Sequence, residues 1–180
     1  MNARRPARTA RTVRLVATLT AVASLFAATM ADAAVYSNGS KTSTFDVTLK
    51  IIADCTIVAN PLDFGQSQGV LATAVTANTT LNVTCTNTTP YNVGLSAGTG
   101  TGSSTAARLM SGTGANTSTV AFNLKTSAGG GNWGNTQGTD TLSGTGSGVV
   151  QNLTVYGTVP AQATPQPDTY KSTITATVYF

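Results

Sequence analysis

The stretch Phe45-Asp46-Val47-Thr48-Leu49-Lys50-Ile51 puts an apolar side chain at every second position and a polar one between. A period of two is that of a β-strand, whose successive side chains point to opposite faces. The same period recurs downstream: Leu81 and Val83 within 79–85, Val93 within 91–95, and Val120, Phe122 and Leu124 within 118–125. Val149, Gln151, Leu153, Val155, Gly157 and Val159 share one phase, and the stretch 170–180 sets Ile174, Ala176, Val178 and Phe180 on one phase against Thr173, Thr175, Thr177 and Tyr179 on the other. A run from Cys55 to Ala59 is bounded by Pro61, a residue that belongs at a sheet edge or a strand end, and Leu62-Asp63-Phe64-Gly65 follows. Residues 34–180 contain 30 Thr and 18 Gly, suited to short strands and tight joints, and no helix of useful length is predicted after Ala33. The expectation is an antiparallel sandwich or barrel. Residues 96–116 and 127–148, the latter with Gly129-Gly130-Gly131, read as loops, and Trp133 is expected to tuck its ring under its own loop.

The chain has 180 residues and a formal charge of +4, with only 9% charged residues against a norm of about 25%. It has no His and no Glu, the residues on which acid–base catalysis most depends, and only two Cys, so most enzyme classes and transition-metal sites lack their working parts. Half of the cations, Arg4, Arg5, Arg8, Arg11 and Arg14, precede the uncharged run Leu15 to Ala28, and Ala31-Asp32-Ala33 follows. This is the pattern of a secretory signal peptide over 1–33, and the apolar run is too short to span a membrane. Export by the Sec route to the periplasm is expected. Past Ala33, Lys41, Lys50, Arg108, Lys125 and Lys171 balance Asp46, Asp54, Asp63, Asp140 and Asp168. No basic patch remains for nucleic acid, no further apolar run is long enough for a transmembrane anchor, and no cofactor fingerprint occurs. In an oxidising compartment Cys55 and Cys85 default to a structural disulfide, whose loop closure contributes roughly 3 to 4 kcal/mol.

Two readings of Phe45–Ile51 stand side by side. It is the first strand of an ordinary sandwich, or it is a strand meant for another molecule, since it lies outside the Cys55–Cys85 loop behind a polar lead. Val, Leu, Ile and Phe total only 30 residues after position 33, a thin core that a borrowed strand would complete. Four such side chains contribute roughly 6 to 12 kcal/mol before ordering costs.

In order along the chain, the signal peptide, Phe45 to Ile51, Cys55-Thr56-Ile57, Leu62-Asp63-Phe64-Gly65, Val83-Thr84-Cys85-Thr86, Pro90-Tyr91-Asn92-Val93 with Gly98, Val155-Tyr156-Gly157-Thr158-Val159-Pro160, Tyr170 and Thr175 to Phe180 together resemble the spore coat protein U family, which includes the major pilins of archaic chaperone–usher pili. The chain departs from the family pattern at Asp168 and Ser172, on either side of Tyr170. The resemblance implies an all-β, incomplete immunoglobulin-like sandwich lacking its final strand. A periplasmic chaperone lends a strand, an outer-membrane usher drives donor-strand exchange, and other copies of the chain complete one another in a fibre that supports adhesion and biofilm formation. By position, Phe45, Val47, Leu49 and Ile51 are then donor residues, Cys55 and Cys85 the disulfide, and Ile174, Val178 and Phe180 the C-terminal strand bordering the groove. The organisation expected is 1–33 signal peptide, 34–53 donor segment and 54–180 pilin domain, with no enzymatic activity and no cofactor. A spore or cell coat protein is the alternative, and a small outer-membrane barrel a more distant one.

Overall fold

The computed structural model describes residues 39–66 and 71–180, and the expected signal peptide lies outside them. The chain divides into two units, Met1–Val47 and Thr48–Phe180. In the first, residues 39–47 have no regular secondary structure. The described residues of the second form nine strands: β1 Cys55–Ala59, β2 Val75–Cys85, β3 Pro90–Leu95, β4 Arg108–Gly112, β5 Thr119–Lys125, β6 Leu142–Thr145, β7 Gln151–Val159, β8 Tyr170–Lys171 and β9 Ala176–Tyr179.

All pairings are antiparallel. A six-stranded sheet runs β1-β2-β7-β5-β4-β8 and a three-stranded sheet runs β6-β3-β9. The two sheets are separately hydrogen-bonded and keep their edges, so this is an open sandwich and not the closed barrel of the distant alternative. The period of two decides what is buried. Leu81 and Val83 of β2, Val120, Phe122 and Leu124 of β5, and Val155 and Val159 of β7 face Tyr91, Val93 and Leu95 of β3 across the core.

Three expectations need correction. The stretch 96–116 is not all loop, because it contains β4, and 127–148 contains β6. In β4, Arg108 and Met110 face inward opposite Phe122 and Val120, so the charged residue occupies a core phase and disguises the strand. The 170–180 stretch is not one strand. It leaves β4 of the larger sheet at Lys171 and joins β3 of the smaller at Ala176.

Arg108 accounts for that interruption. Ser96 N–H donates to Thr175 O at 2.9 Å, and an uninterrupted antiparallel pair would return the bond from Thr175 N–H to Ser96 O. Ser96 O instead accepts from Arg108 Nε at 2.9 Å, and Thr175 N–H turns to Ser96 Oγ at 2.8 Å. Thr173 N–H likewise takes a side chain, Thr99 Oγ1 at 2.9 Å. Gly98 sits against this segment with φ +87°, and a Cβ there would meet Ser172 Oγ and lie 2.7 Å from Ile174 Cδ1. Gly98→Ala is therefore expected to cost about 1 to 2 kcal/mol from backbone strain alone, and more from the clash, read as a lowered thermal midpoint.

Cys55 and Cys85 form a disulfide across the first pair of β1 and β2. Thr86 N–H to Asp54 O and Asn60 N–H to Thr80 O mark the hydrogen-bonded pairs, which leaves Cys55 opposite Cys85 as a non-hydrogen-bonded pair. That is the closer of the two cross-strand spacings, and here the Cα atoms are 4.1 Å apart. Replacing both cysteines with Ser is expected to lower the urea midpoint by an amount equivalent to about 3 to 4 kcal/mol.

Candidate functional site

A slot runs between the edge strands of the two sheets. One wall is Ala59 to Gln66, and the other is the strand-switching stretch Thr164 to Ala176. It consists of two adjoining cavities of about 800 and 510 Å³ that share Leu62, Phe64, Met110 and Tyr170. The bottom of the larger is Leu71, Val75, Val120 and Val159, and that of the smaller is Leu81, Leu95, Phe122, Leu124 and Val155. The slot is thus floored by the core itself. Leu62 and Phe64 point into it by the same period of two, and both lie against Gly157, where a Cβ would come within 2.5 Å of Leu62 Cδ2.

Both walls offer free backbone. The pairs Ser96·Thr175, Gly94·Thr177 and Asn92·Tyr179 use the groups of β9 that face β3, so the N–H and C=O of Ile174, Ala176 and Val178 point away from it. By the same alternation, Cys55, Ile57 and Ala59 direct theirs away from β2. Among the described residues neither β1 nor β9 has a second strand partner, and an unpaired edge is a template for an added strand. Ile174, Ala176 and Val178 also pack their side chains on the core. Phe180, the third residue expected at this border, follows β9 and is 58% exposed.

Phe45, Val47, Leu49 and Ile51 lie outside all strands and are 86%, 85%, 86% and 76% exposed. Four large apolar side chains at every second position are thus exposed along one short segment.

The charged groups lie on the rims. Asp168 accepts from Gly114 N–H at 3.2 Å, Thr169 N–H at 2.7 Å and Thr113 Oγ1 at 3.4 Å. These bonds, the one from Gly114 foremost, hold its carboxyl below the usual carboxylate range. A depressed folded value means that the contribution is fully present above the unfolded pKa of about 3.9 and is lost as pH falls through the lower folded value. The Gly114 amide resonance is accordingly expected to stay constant from neutral pH to about pH 4 and to shift only below it. Asp63 Oδ1 accepts from Gly65 N–H at 2.8 Å at the opposite rim.

Two side chains stand behind the slot, and sequence reasoning had singled out only the first. Trp133 is fully buried, with Nε1–H donating to Val93 O at 2.7 Å and its own N–H to Leu124 O at 2.7 Å, so it ties β3 of one sheet to β5 of the other and does more than fill its own loop. Arg108 is 1% exposed and donates to four carbonyls, those of Leu95, Ser96, Thr105 and Trp133. Burial pushes its guanidinium below the ordinary arginine value, and the nearby Asp140 charge opposes that shift. An Arg standing alone after position 14, in a chain with so few charges, was the available signal.

Among the described residues no group of three His, Cys, Asp or Glu could hold a metal ion, and no helix is long and apolar enough to cross a membrane. No curated protein matches the sequence. Among solved structures, the chain is similar to a chain in the pre-assembly complex of the chaperone CsuC with the tip adhesion subunit CsuE, from archaic chaperone–usher Csu pili of Acinetobacter baumannii, with 23% identity and a TM-score of 0.53. The match covers 72% of this chain and only 40% of that one, and it establishes the shared fold. The minor tip subunit HdaB of the E. coli Hda pilus matches at 16% identity over 69% of this chain and 79% of that one, at a TM-score of 0.37 too distant to inform the fold. The family model for the Spore Coat Protein U domain matches residues 41–177, most of the sequence, and the chain belongs to that family.

Proposed function

We propose that the protein is a structural subunit of a secreted surface fibre, built by donor-strand exchange. The observation that carries this reading is the pairing of an apolar slot between two free strand edges with an exposed, alternating segment, Phe45 to Ile51, that suits such a slot. The slot is a route for a strand: backbone groups on both walls would bond an extended peptide, and its alternate side chains would enter the floor. Seven residues of extended chain span roughly 24 Å. The chemistry is backbone pairing and apolar burial, so the reading is of a non-enzymatic protein.

On this reading the domain boundaries are 34–53 for the donor segment and 54–180 for the acceptor domain, after a signal peptide over 1–33. A periplasmic chaperone guards the slot, as the similarity to a chaperone-bound subunit supports, and an outer-membrane usher exchanges that strand for the donor of the next copy. Adhesion and biofilm formation follow as roles of the fibre. The test is deletion of residues 34–51 with the export signal retained. The expected product is a secreted, chaperone-bound monomer with no ladder of SDS-resistant multimers on unboiled gels. Fibres formed by this truncation in the absence of full-length chain would sink the proposal.

A further inference from the structure

The two cavities of the slot carry charges of opposite sign on their rims. Its larger cavity is lined by Asp63 and Asp168 and by no cation, and its smaller cavity by Lys171 and no acid, among the described residues. All three charged residues are exposed on the rims. The alternating segment has the same property: its outward-facing residues are Asp46, Thr48 and Lys50, an acid at the first end and a base at the last. In an extended strand Asp46 and Lys50 lie about 13 Å apart, and Asp168 and Lys171 flank Tyr170, which both cavities share.

We propose that these five charges set the direction and register of the inserted strand, with Lys50 of one copy against Asp63 and Asp168 of the next and Asp46 towards Lys171. This rests on the donor-strand reading above and adds to it which way the strand lies. Lys50 over the acidic cavity makes the donor antiparallel to β9. The reverse direction brings Asp46 to two carboxylates and Lys50 to Lys171, repulsive at both ends. Neither arrangement changes which apolar side chains enter the slot, because Phe45, Val47, Leu49 and Ile51 alternate symmetrically about Thr48. The apolar pattern therefore leaves direction open, and charge decides it. Rim charges of this kind act mainly on encounter and on wrong alignments, and they weaken with salt.

Treating fibres of the full exported chain with a water-soluble carbodiimide joins a Lys amine to a touching carboxylate through an amide. The expected inter-chain product links Lys50 to Asp63 or Asp168, read by peptide mass. A product linking Lys41 to either acid means the reverse direction and overturns the proposal. Kinetics give an independent reading. The donor reversal Asp46→Lys with Lys50→Asp is expected to slow assembly about tenfold at about 0.02 M salt, with the deficit vanishing near 0.5 M. Asp63→Lys with Lys171→Asp in the accepting copy should restore the rate. A donor reversal that assembles at the wild-type rate in low salt overturns the charge register while leaving strand exchange intact. Failure of strand exchange itself shows differently, as assembly that survives deletion of residues 34–51 at every salt concentration.

Discussion

On the donor-strand reading, Leu49→Asp is expected to abolish fibre assembly while the subunit remains secreted, disulfide-bonded and folded. Leu49 is 86% exposed in the free chain, so the change leaves the monomer's stability within about 0.5 kcal/mol. In the proposed direction the same side chain would enter the larger cavity, whose floor of Leu71, Val75, Val120 and Val159 offers no side-chain hydrogen-bond donor to a carboxylate. The variant loses the roughly 1.5 to 3 kcal/mol of a buried Leu and adds a desolvation cost of several kcal/mol more, so donor affinity falls by at least about a thousandfold. Thr48→Asp, one residue away and facing outward, is the matched control and should assemble nearly normally. Electron microscopy of both variants expressed at equal levels separates the cases. Equal fibre yield from Leu49→Asp and wild type would remove Leu49 from the donor strand.

Arg108→Met is expected to be the most destabilising single change in the domain. Its guanidinium satisfies four backbone carbonyls from three parts of the chain, and Met fills the volume while leaving all four without that partner. At about 1 to 3 kcal/mol for each buried acceptor left unpaired, the loss approaches the whole stability of a typical domain, about 5 to 15 kcal/mol. Arg108→Lys should recover only part of it, since an ammonium carries fewer donors in a less fixed geometry. The expected outcome is little or no soluble Met variant in the periplasm and a strongly lowered urea midpoint for the Lys variant. A Met variant with a wild-type midpoint would mean that water serves those carbonyls equally well.

These two residues also mark where the sequence was readable. The strands that bury one face, β2, β3, β5 and β7, announce themselves by alternation, because apolar and polar residues fall on different sides of a sheet. Phe45 to Ile51 announces itself equally, and only its position before Cys55 hints that its apolar face is not for its own core. The strands β4 and β6 are hidden for local reasons. In β4 a charged residue holds a core position, and in β6 Gly144 leaves space for the Tyr91 ring, so Leu-Ser-Gly-Thr shows no apolar repeat. The break in the last strand was also illegible, because it depends on which donor takes Ser96 O, and that donor lies twelve residues away. The sequence pointed to Ile174 and Val178 as a groove border, and of these Ile174 lines the slot, but its other wall, Leu62 and Phe64, needed the folded chain to appear.

The placement of the disulfide has a mechanical consequence. Only Ile52, Ala53 and Asp54 separate the alternating segment from Cys55, the first residue of an edge strand. A pull on that segment would ordinarily peel β1 from β2 one hydrogen bond at a time, the weakest way to load a sheet. The Cys55–Cys85 bond meets the load before any pair of β1 does and passes it covalently to β2, which a nine-pair ladder holds to β7. The load then falls on an inner strand instead of an edge strand. Under reducing conditions the load path reverts to peeling, and the same fold becomes a weak link under tension.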